Sequence, residues 1–191
     1  MASNPHHIRV AEDVLRLPLP NGVSGYELVD GKPIPVTPVS PTHGRHALEL
    51  ARRIGNHLRE HAVAGRAYVE AGFVLGLARD PERLRAPDVS YVSDDNLRRH
   101  GGEPARGFFH LTPDLALEIE SPDDGPRSLQ QRVRDYLEAG VSLVWVLHPR
   151  SATATVYRPD APAERVTTDG TLDGHTVLPG LRIPLREVLG S

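Results

Sequence analysis

The chain contains no cysteine, and Lys32 is its one lysine. Without cysteine there can be no disulfide framework, no thiolate metal site and no thiol nucleophile. Because every other member of the Lys and Arg set is an arginine, a reaction that needs a lysine amine must use Lys32 or proceed without one. The side chains left to carry out chemistry are therefore mainly the acidic residues, histidines and arginines.

Long hydrophobic runs are also missing. No stretch approaches the ~18 apolar residues that a membrane helix needs, and the N-terminal MASNPHHIRV lacks the hydrophobic region of a signal peptide. We therefore expect no membrane partner and a cytoplasmic location. The net charge of −3 argues against a protein that coats nucleic acid without regard to sequence. The GxSxG, GxxxxGK[ST] and GxGxxG motifs are absent as well.

The composition is that of one globular domain. At 191 residues, with 39% hydrophobic and 25% charged residues, the chain predicts a single domain over residues 1–191. Residues 1–22 hold a short amphipathic piece, and we predict that they form an N-terminal helical extension packed on the domain. Helices and strand-like runs follow in a mixed order, which predicts an α/β protein with a central mixed β-sheet flanked by helices.

Local patterns predict the main elements. Asp30-Gly31 separates two extended runs, which is typical of a hairpin. A first helix lies within residues 38–65, with an apolar stripe at Ala47, Leu50, Ala51, Ile54 and Leu58. A second helix covers residues 128–140, with Ser128 and Gln131 as a capping box and Gly140 in the left-handed end position. The remaining predictions are a mid-sheet strand (142–149), an edge hairpin (153–170), a C-terminal segment that packs back on the body, and a polar link (78–86).

Carboxylates occur in runs that otherwise predict buried strands. Side chains alternate between the two faces of a strand, so Leu115, Leu117 and Ile119 point one way and Ala116, Glu118 and Glu120 the other. Glu118 and Glu120 are then roughly 7 Å apart. Asp88 begins a neighbouring strand and Glu27 lies in the first hairpin. Such oxygen ligands suit Mg²⁺ or Mn²⁺, although strand-end carboxylates commonly just face solvent.

Two helical residues strengthen the metal-site interpretation. His43 precedes Ala47 by one turn and therefore lies on the inward stripe of the first helix. Arg132 lies on the apolar face of the second helix, where it is either a structural partner of the glutamates or an active-site cation. His46, His57 and His61 lie on or near the polar side of the first helix, and we expect them to be solvated.

Five motifs together resemble a known family. YELVDGKPIPVTPVSPTHGRHALEL, RAPDVSYVSDDNL, PDLALEIESPDD, LQQRVRDYLEAGVSLVWVLHP and ATVYRP stand in the order and spacing of the Uma-two family. These are restriction-endonuclease-like proteins of the PD-(D/E)xK nuclease superfamily, and the likeness covers residues from about 23 to 185. The resemblance implies a central mixed sheet with helices on each side and Mg²⁺-dependent hydrolysis of DNA phosphodiester bonds.

The resemblance also implies site residues. Glu27, Asp88 and Glu118 match the family's acidic positions and would bind the metal, and His43 matches its helix-start histidine. The superfamily often has lysine where this chain has Glu120, and the family commonly supplies a lysine from the following helix, where this chain has Arg132. Arginine keeps the charge but cannot act as a general base. Arg132 is then an electrostatic clamp, or Glu120 joins the metal shell or activates water, or the nuclease is inactive.

The sequence thus favours a metal-dependent endonuclease, with Glu120, Arg132 and His43 as catalytic candidates. Two alternatives stay open: an inactive nuclease-fold module that binds DNA or a protein partner, and a hydrolase of another phosphoester such as RNA or a nucleotide. Many nucleases of this fold act as homodimers, so a homodimer is also expected.

Overall fold

The computed structural model describes residues 8–121 and 126–190. Its helices are a 3-10 helix at Ala11–Arg16, α1 (Pro41–Glu60), α2 (Asp94–Arg99), α3 (Pro126–Glu138), a 3-10 turn at Pro149–Ser151, and α4 (Leu185–Leu189). Its strands are β1 (Gly25–Val29), β2 (Lys32–Val36), β3 (Gly65–Val69), β4 (Phe73–Val74), β5 (Leu84–Arg85), β6 (Val89–Ser93), β7 (Leu115–Ile119), β8 (Leu143–His148), β9 (Thr153–Arg158), β10 (Ala161–Val166), β11 (Thr171–Asp173) and β12 (Arg182–Pro184).

A six-stranded mixed sheet forms the centre of the molecule, in the order β10-β9-β8-β7-β6-β3. The β7–β8 pair is parallel and its crossover contains α3, while the other neighbours are antiparallel. A second sheet, β2-β1-β5-β4, lies beside it, and β11 pairs with β12. The α/β class with a central mixed sheet and flanking helices is therefore confirmed.

The alternation along β7 divides the core into two layers. Leu115, Leu117 and Ile119 pack with the apolar stripe of α1 and with the C-terminal segment that ends in α4. Ala116, on the opposite face, packs with Leu129, Val133 and Tyr136 of α3. The central sheet thus separates α1 from α3, and both helices begin near the end of β7.

Several local predictions are confirmed by the structure. The hairpin β1–β2 turns at Asp30-Gly31, and β9–β10 is the predicted hairpin at the sheet edge. Gly140 adopts φ 90°, the left-handed conformation that a helix end favours. The C-terminal segment packs back on the body through Leu178, Leu181 and Ile183.

Three predictions about local structure are wrong. Ser128 does not start the second helix, because α3 already begins at Pro126. The predicted polar link contains β5, and its Arg83 and Leu84 are fully buried because oppositely charged partners surround the arginine. His46 and His57 are 2% and 5% exposed instead of solvated. The C-terminal segment covers His57 with the backbone of Pro179 and with Gly180. His61 is exposed, as predicted.

The N-terminal segment contacts the smaller sheet. Ala11 and Val14 of the 3-10 helix are buried against Leu28, Val74 and Leu84. Residues 1–7 of the predicted extension lie outside the described residues. Among the helices of the described ranges, none has the length and apolar character needed to cross a membrane.

Candidate active site

A cavity of about 680 Å³ opens between the hairpin β1–β2, the start of α1, the ends of the central strands and α3. Five of the six predicted site residues line it: Glu27, His43, Asp88, Glu118 and Arg132. These residues come from different elements, so the fold brings together side chains that are far apart in the sequence. The sixth residue, Glu120, is not among the lining residues.

Asp88 joins the central sheet to α1. Its Oδ2 accepts a hydrogen bond from the backbone N–H of Ile119 at 2.6 Å, just beyond the last Cα pair of β6 and β7, Val89 with Leu117. Its Oδ1 lies 2.9 Å from Nε2 of His43. Ser40 caps α1 by accepting from the His43 backbone N–H, which sets this histidine in the first helical turn beside the strand ends.

Glu118 is a buried carboxylate on the α3 side of the sheet. Its Oε1 accepts from the Tyr136 hydroxyl at 2.6 Å, and its Oε2 accepts from Nη1 of Arg132 at 3.2 Å. Burial raises the pKa of Glu118 to about 8 despite the opposing charge of Arg132, and the negative charges of Asp88 and Glu27 add to this rise. The three carboxylates are thus close enough to interact electrostatically.

Glu27 is held by Arg85, a residue that the sequence did not indicate. Nη1 of Arg85 donates to Oε2 of Glu27 at 2.6 Å, and the Ala86 backbone N–H donates to Oε1 at 3.2 Å. Arg132 approaches the same carboxylate, with Nε 3.9 Å from Oε2. Strand β5 therefore fixes the orientation of a carboxylate that belongs to β1.

Asp135 of α3 is the centre of a buried ion network behind Glu27. Its Oδ2 accepts from Nε and Nη2 of Arg85 at 2.9 and 2.6 Å, and Nη1 of Arg83 lies 3.4 Å away. Arg79 donates to its Oδ1 at 2.5 Å. Although burial opposes the charged form, Arg85, a hydrogen bond from Gln131 and the charge of Arg83 together lower the pKa of Asp135. The network connects the smaller sheet to α3, and so connects Glu27 to the helix that carries Arg132.

Glu120 has a different environment. Its Oε2 lies 2.9 Å from Nδ1 of His148, and Nε2 of that imidazole lies 3.0 Å from the Thr155 hydroxyl. An ionised carboxylate can only accept, so Nδ1 donates to Glu120; in a neutral imidazole Nε2 then accepts from the Thr155 hydroxyl, and in a charged one it donates to it. That Glu120 binds the metal or activates water stays a prediction. In this structure its carboxylate is hydrogen-bonded to His148 at the end of β8.

A family model described as "Putative restriction endonuclease", Uma2, matches residues 11–186. The chain belongs to the Uma2 family. This membership confirms the resemblance that the five motifs indicated. No curated protein matches this chain.

A solved structure supports the fold of this Uma2 protein. The chain is similar to a crystal structure titled as a putative nuclease belonging to DUF820 from Anabaena variabilis ATCC 29413, with a TM-score of 0.79. The two sequences are 22% identical, and the match covers 96% of this chain and 98% of the other. At this identity the match establishes a shared fold.

The donor chemistry of the Uma2 site fits a hard divalent cation, because Glu27, Asp88 and Glu118 offer oxygen ligands in one cavity. Over residues 8–121 and 126–190, no group of three or more His, Asp or Glu side chains is arranged to hold an ion. Each carboxylate is bonded instead to protein groups, Glu118 to Arg132 and Tyr136 among them. A metal would therefore compete with existing hydrogen bonds.

Sequence reasoning missed Arg85, Asp135 and Tyr136. Tyr136 packs with Leu129 and Val133 on the apolar face of α3, yet its hydroxyl donates to Glu118. Arg85 lies in the predicted polar link and Asp135 lies off the apolar stripe of the second helix, so the local sequence pattern marks neither as buried. The pairing itself depends on how the two sheets meet, which no local pattern specifies.

Proposed function

We propose that this protein is a divalent-metal-dependent nuclease that hydrolyses phosphodiester bonds of DNA in the cavity described above. The observation that carries the proposal is the convergence of Asp88, Glu118 and Arg132 on one cavity from two neighbouring strand ends and a helix. Asp88 and Glu118 would hold Mg²⁺ or Mn²⁺, with Glu27 as a third acidic group. When bound, the ion supplies polarisation of a phosphoryl oxygen and activation of water.

The protein residues have separate roles in this proposal. His43 holds Asp88 through the 2.9 Å contact, and the Ile119 backbone N–H holds its other oxygen. Arg132 offers a planar guanidinium that binds phosphate and stabilises the negative charge that develops there. It stays protonated, so it does not take the proton from water.

Arg132 and a bound ion would compete for the carboxylate of Glu118. In the structure the guanidinium bonds the carboxylate at 3.2 Å. An ion at Glu118 would compete with this pair, and a substrate phosphate would offer Arg132 another anionic partner. Substrate and ion are therefore expected to bind cooperatively.

Plasmid cleavage tests the proposal directly. Supercoiled DNA incubated with Mg²⁺ or Mn²⁺ should be nicked by the natural protein, and Asp88→Asn and Glu118→Gln should each lower the rate by at least about a hundredfold. Glu49→Gln, at a carboxylate paired with arginines on the outer side of α1, is the matched control and should cleave normally. Nicking that persists in both site variants would identify a contaminating nuclease and overturn the proposal. RNA and nucleotides in parallel reactions test the other phosphoester substrates.

One observation favours a second function, an inactive module that binds DNA or a protein. The Glu118–Arg132 ion pair offsets carboxylate charge where a metal would otherwise do so. A Mn²⁺ titration separates the two functions, since a metal site raises the melting temperature saturably. A rise that Asp88→Ala abolishes supports the nuclease, and the absence of any rise supports the module. The homodimer and the cytoplasmic location stay predictions.

A further inference from the structure

We propose that the cavity accepts an unpaired nucleotide of a single strand, with its base against Tyr26 and Phe108, in preference to the backbone of a duplex. The inference rests on the proposed function for the chemistry near Asp88 and Glu118, and it adds the class of substrate that reaches them. Four features of the described residues carry it: the division of the cavity wall, its aromatic rings, its charge and its size.

The cavity wall is divided into a polar and an apolar part. Buried Glu27, His43 and Glu118 lie in the inner part, which we call the floor. Exposed apolar side chains surround the outer part, the mouth: Leu15, Leu19, Ile34, Val36 and Val39. A nucleotide has the same division, since its phosphate is charged and its base has an apolar face. A duplex presents charged phosphates on its outside and would meet the apolar mouth first.

Two aromatic rings in the wall are fixed in position. Phe108 rests directly on Gly72, and a Cβ on that glycine would collide with the ring. The Tyr26 hydroxyl donates to the Pro18 carbonyl at 2.6 Å, which ties its ring to the N-terminal segment. Rings held in this way lose little freedom when a base stacks on them, and base stacking on aromatic side chains is a recurring part of single-strand binding.

The charge of the lining disfavours a duplex. Among the described lining residues, Glu27, Glu70, Asp88 and Glu118 are acidic, while Arg132 is the one arginine or lysine. Duplex binding depends on many Lys and Arg contacts with phosphates. One arginine suits one phosphate, which is what a single nucleotide brings to the floor.

The size of the cavity is consistent with this ligand. Its volume of about 680 Å³ falls within the ~300–1,000 Å³ typical of small-molecule sites. A single nucleotide is a ligand of this size class, whereas a duplex is not. An extruded or terminal base enters it without the rest of a helix.

Binding measurements test the inference without requiring cleavage. Fluorescence anisotropy in EDTA compares a short labelled DNA single strand, the RNA strand of the same sequence, and the matching DNA duplex. At least one single strand should bind about tenfold more tightly than the duplex, because stacking is available only to unpaired bases. The stronger of the two strands then identifies the sugar. Equal or tighter binding of the duplex would overturn the inference.

Matched variants locate the binding. Phe108→Leu keeps an apolar side chain but removes the ring, and it should weaken single-strand binding about tenfold. Leu19→Asp adds a negative charge at an exposed mouth position, where it cannot disturb the core, and should also weaken binding. Leu48→Asp is the control, since Leu48 is 68% exposed on α1 and outside the lining. If both mouth and ring variants bind as the natural protein does, the base lies elsewhere and the inference fails.

The two proposals fail in different experiments. Selective single-strand binding without metal-dependent cleavage would overturn the nuclease and leave the nucleotide site standing. Metal-dependent cleavage that prefers duplex DNA would support the nuclease and overturn the nucleotide site.

Discussion

At the scale of single residues, Glu118 and Arg132 decide what the site can do. The carboxylate is 2% exposed, and its two oxygens are shared between a tyrosine hydroxyl and a guanidinium. Burying an ionised carboxylate is costly unless charge and hydrogen bonds compensate it. Arg132 supplies part of that compensation, so it has both a structural role and the catalytic role proposed for it.

Replacing Arg132 should strengthen Mn²⁺ binding and weaken plasmid cleavage. Arg132→Ala removes the competitor for Glu118, so Mn²⁺ should bind more tightly, measured as a larger rise in melting temperature at a given ion concentration. The same variant removes the phosphate clamp, so plasmid nicking should fall by about a hundredfold. Arg134→Ala, at an exposed position on the same helix, is the control. A loss of metal binding in Arg132→Ala would contradict the competition.

The loss of Asp135 should cost stability because it is the anion that Arg85 and Arg83 share in the buried network. Asp135→Asn leaves Arg85 and Arg83 buried without their shared anion, which should lower the free energy of unfolding by about 3–5 kcal/mol. Asp95→Asn is the matched control: Asp95 also contacts two arginines, Arg98 and Arg99, but at an exposed position. Its cost should stay within about 0.5 kcal/mol. Urea unfolding of both variants measures the difference, and equal losses would show that burial of the network is unimportant.

At the scale of elements, α1 and β5 illustrate what sequence patterns can predict. The stripe from Ala47 to Leu58 packs on the sheet as the 3.6-residue period requires. The opposite side of α1 was expected to be polar, but the C-terminal segment covers His57. Strand β5 was not predicted because Leu84 and Arg85 stand among charged residues in the sequence. Burial of Arg85 depends on its partners, Glu27 of β1 and Asp135 of α3.

Burial of two α1 histidines should make the protein less stable in mild acid. Burial lowers the pKa of His46, and the charge of Arg45 adds to this; burial likewise lowers the pKa of His57, and the charge of His61 adds to it. Since the unfolded chain keeps a histidine pKa near 6.5, it binds protons more readily than the folded protein, and stability falls as the pH drops through about 6.5.

The variant His57→Gln tests this dependence. Its melting temperature should fall less than that of the natural protein between neutral and mildly acidic pH. Leu48→Gln, at an exposed position of the same helix that carries no titrating group, should leave the dependence unchanged. If His57→Gln follows the same pH curve as the natural protein, His57 is not a source of the acid sensitivity.

At the scale of the whole molecule, the order of elements and the motifs were sufficient for the fold class and the family. They also identified five residues that line one cavity, because strand alternation and helix periodicity determine which way Glu118, His43 and Arg132 point. The partners of those residues were not predictable in the same way. The contacts of Glu27 with Arg85, and of Glu120 with His148, depend on the packing of separate sheets and strands, which sequence spacing does not specify.

Anomalous diffraction from crystals grown with Mn²⁺ tests most directly whether this cavity is a metal-dependent catalytic site. The account predicts a single strong peak within bonding distance of carboxylate oxygens of Asp88 and Glu118, with Arg132 displaced from Glu118. An empty cavity at saturating Mn²⁺, with the Glu118–Arg132 pair unchanged, would contradict it.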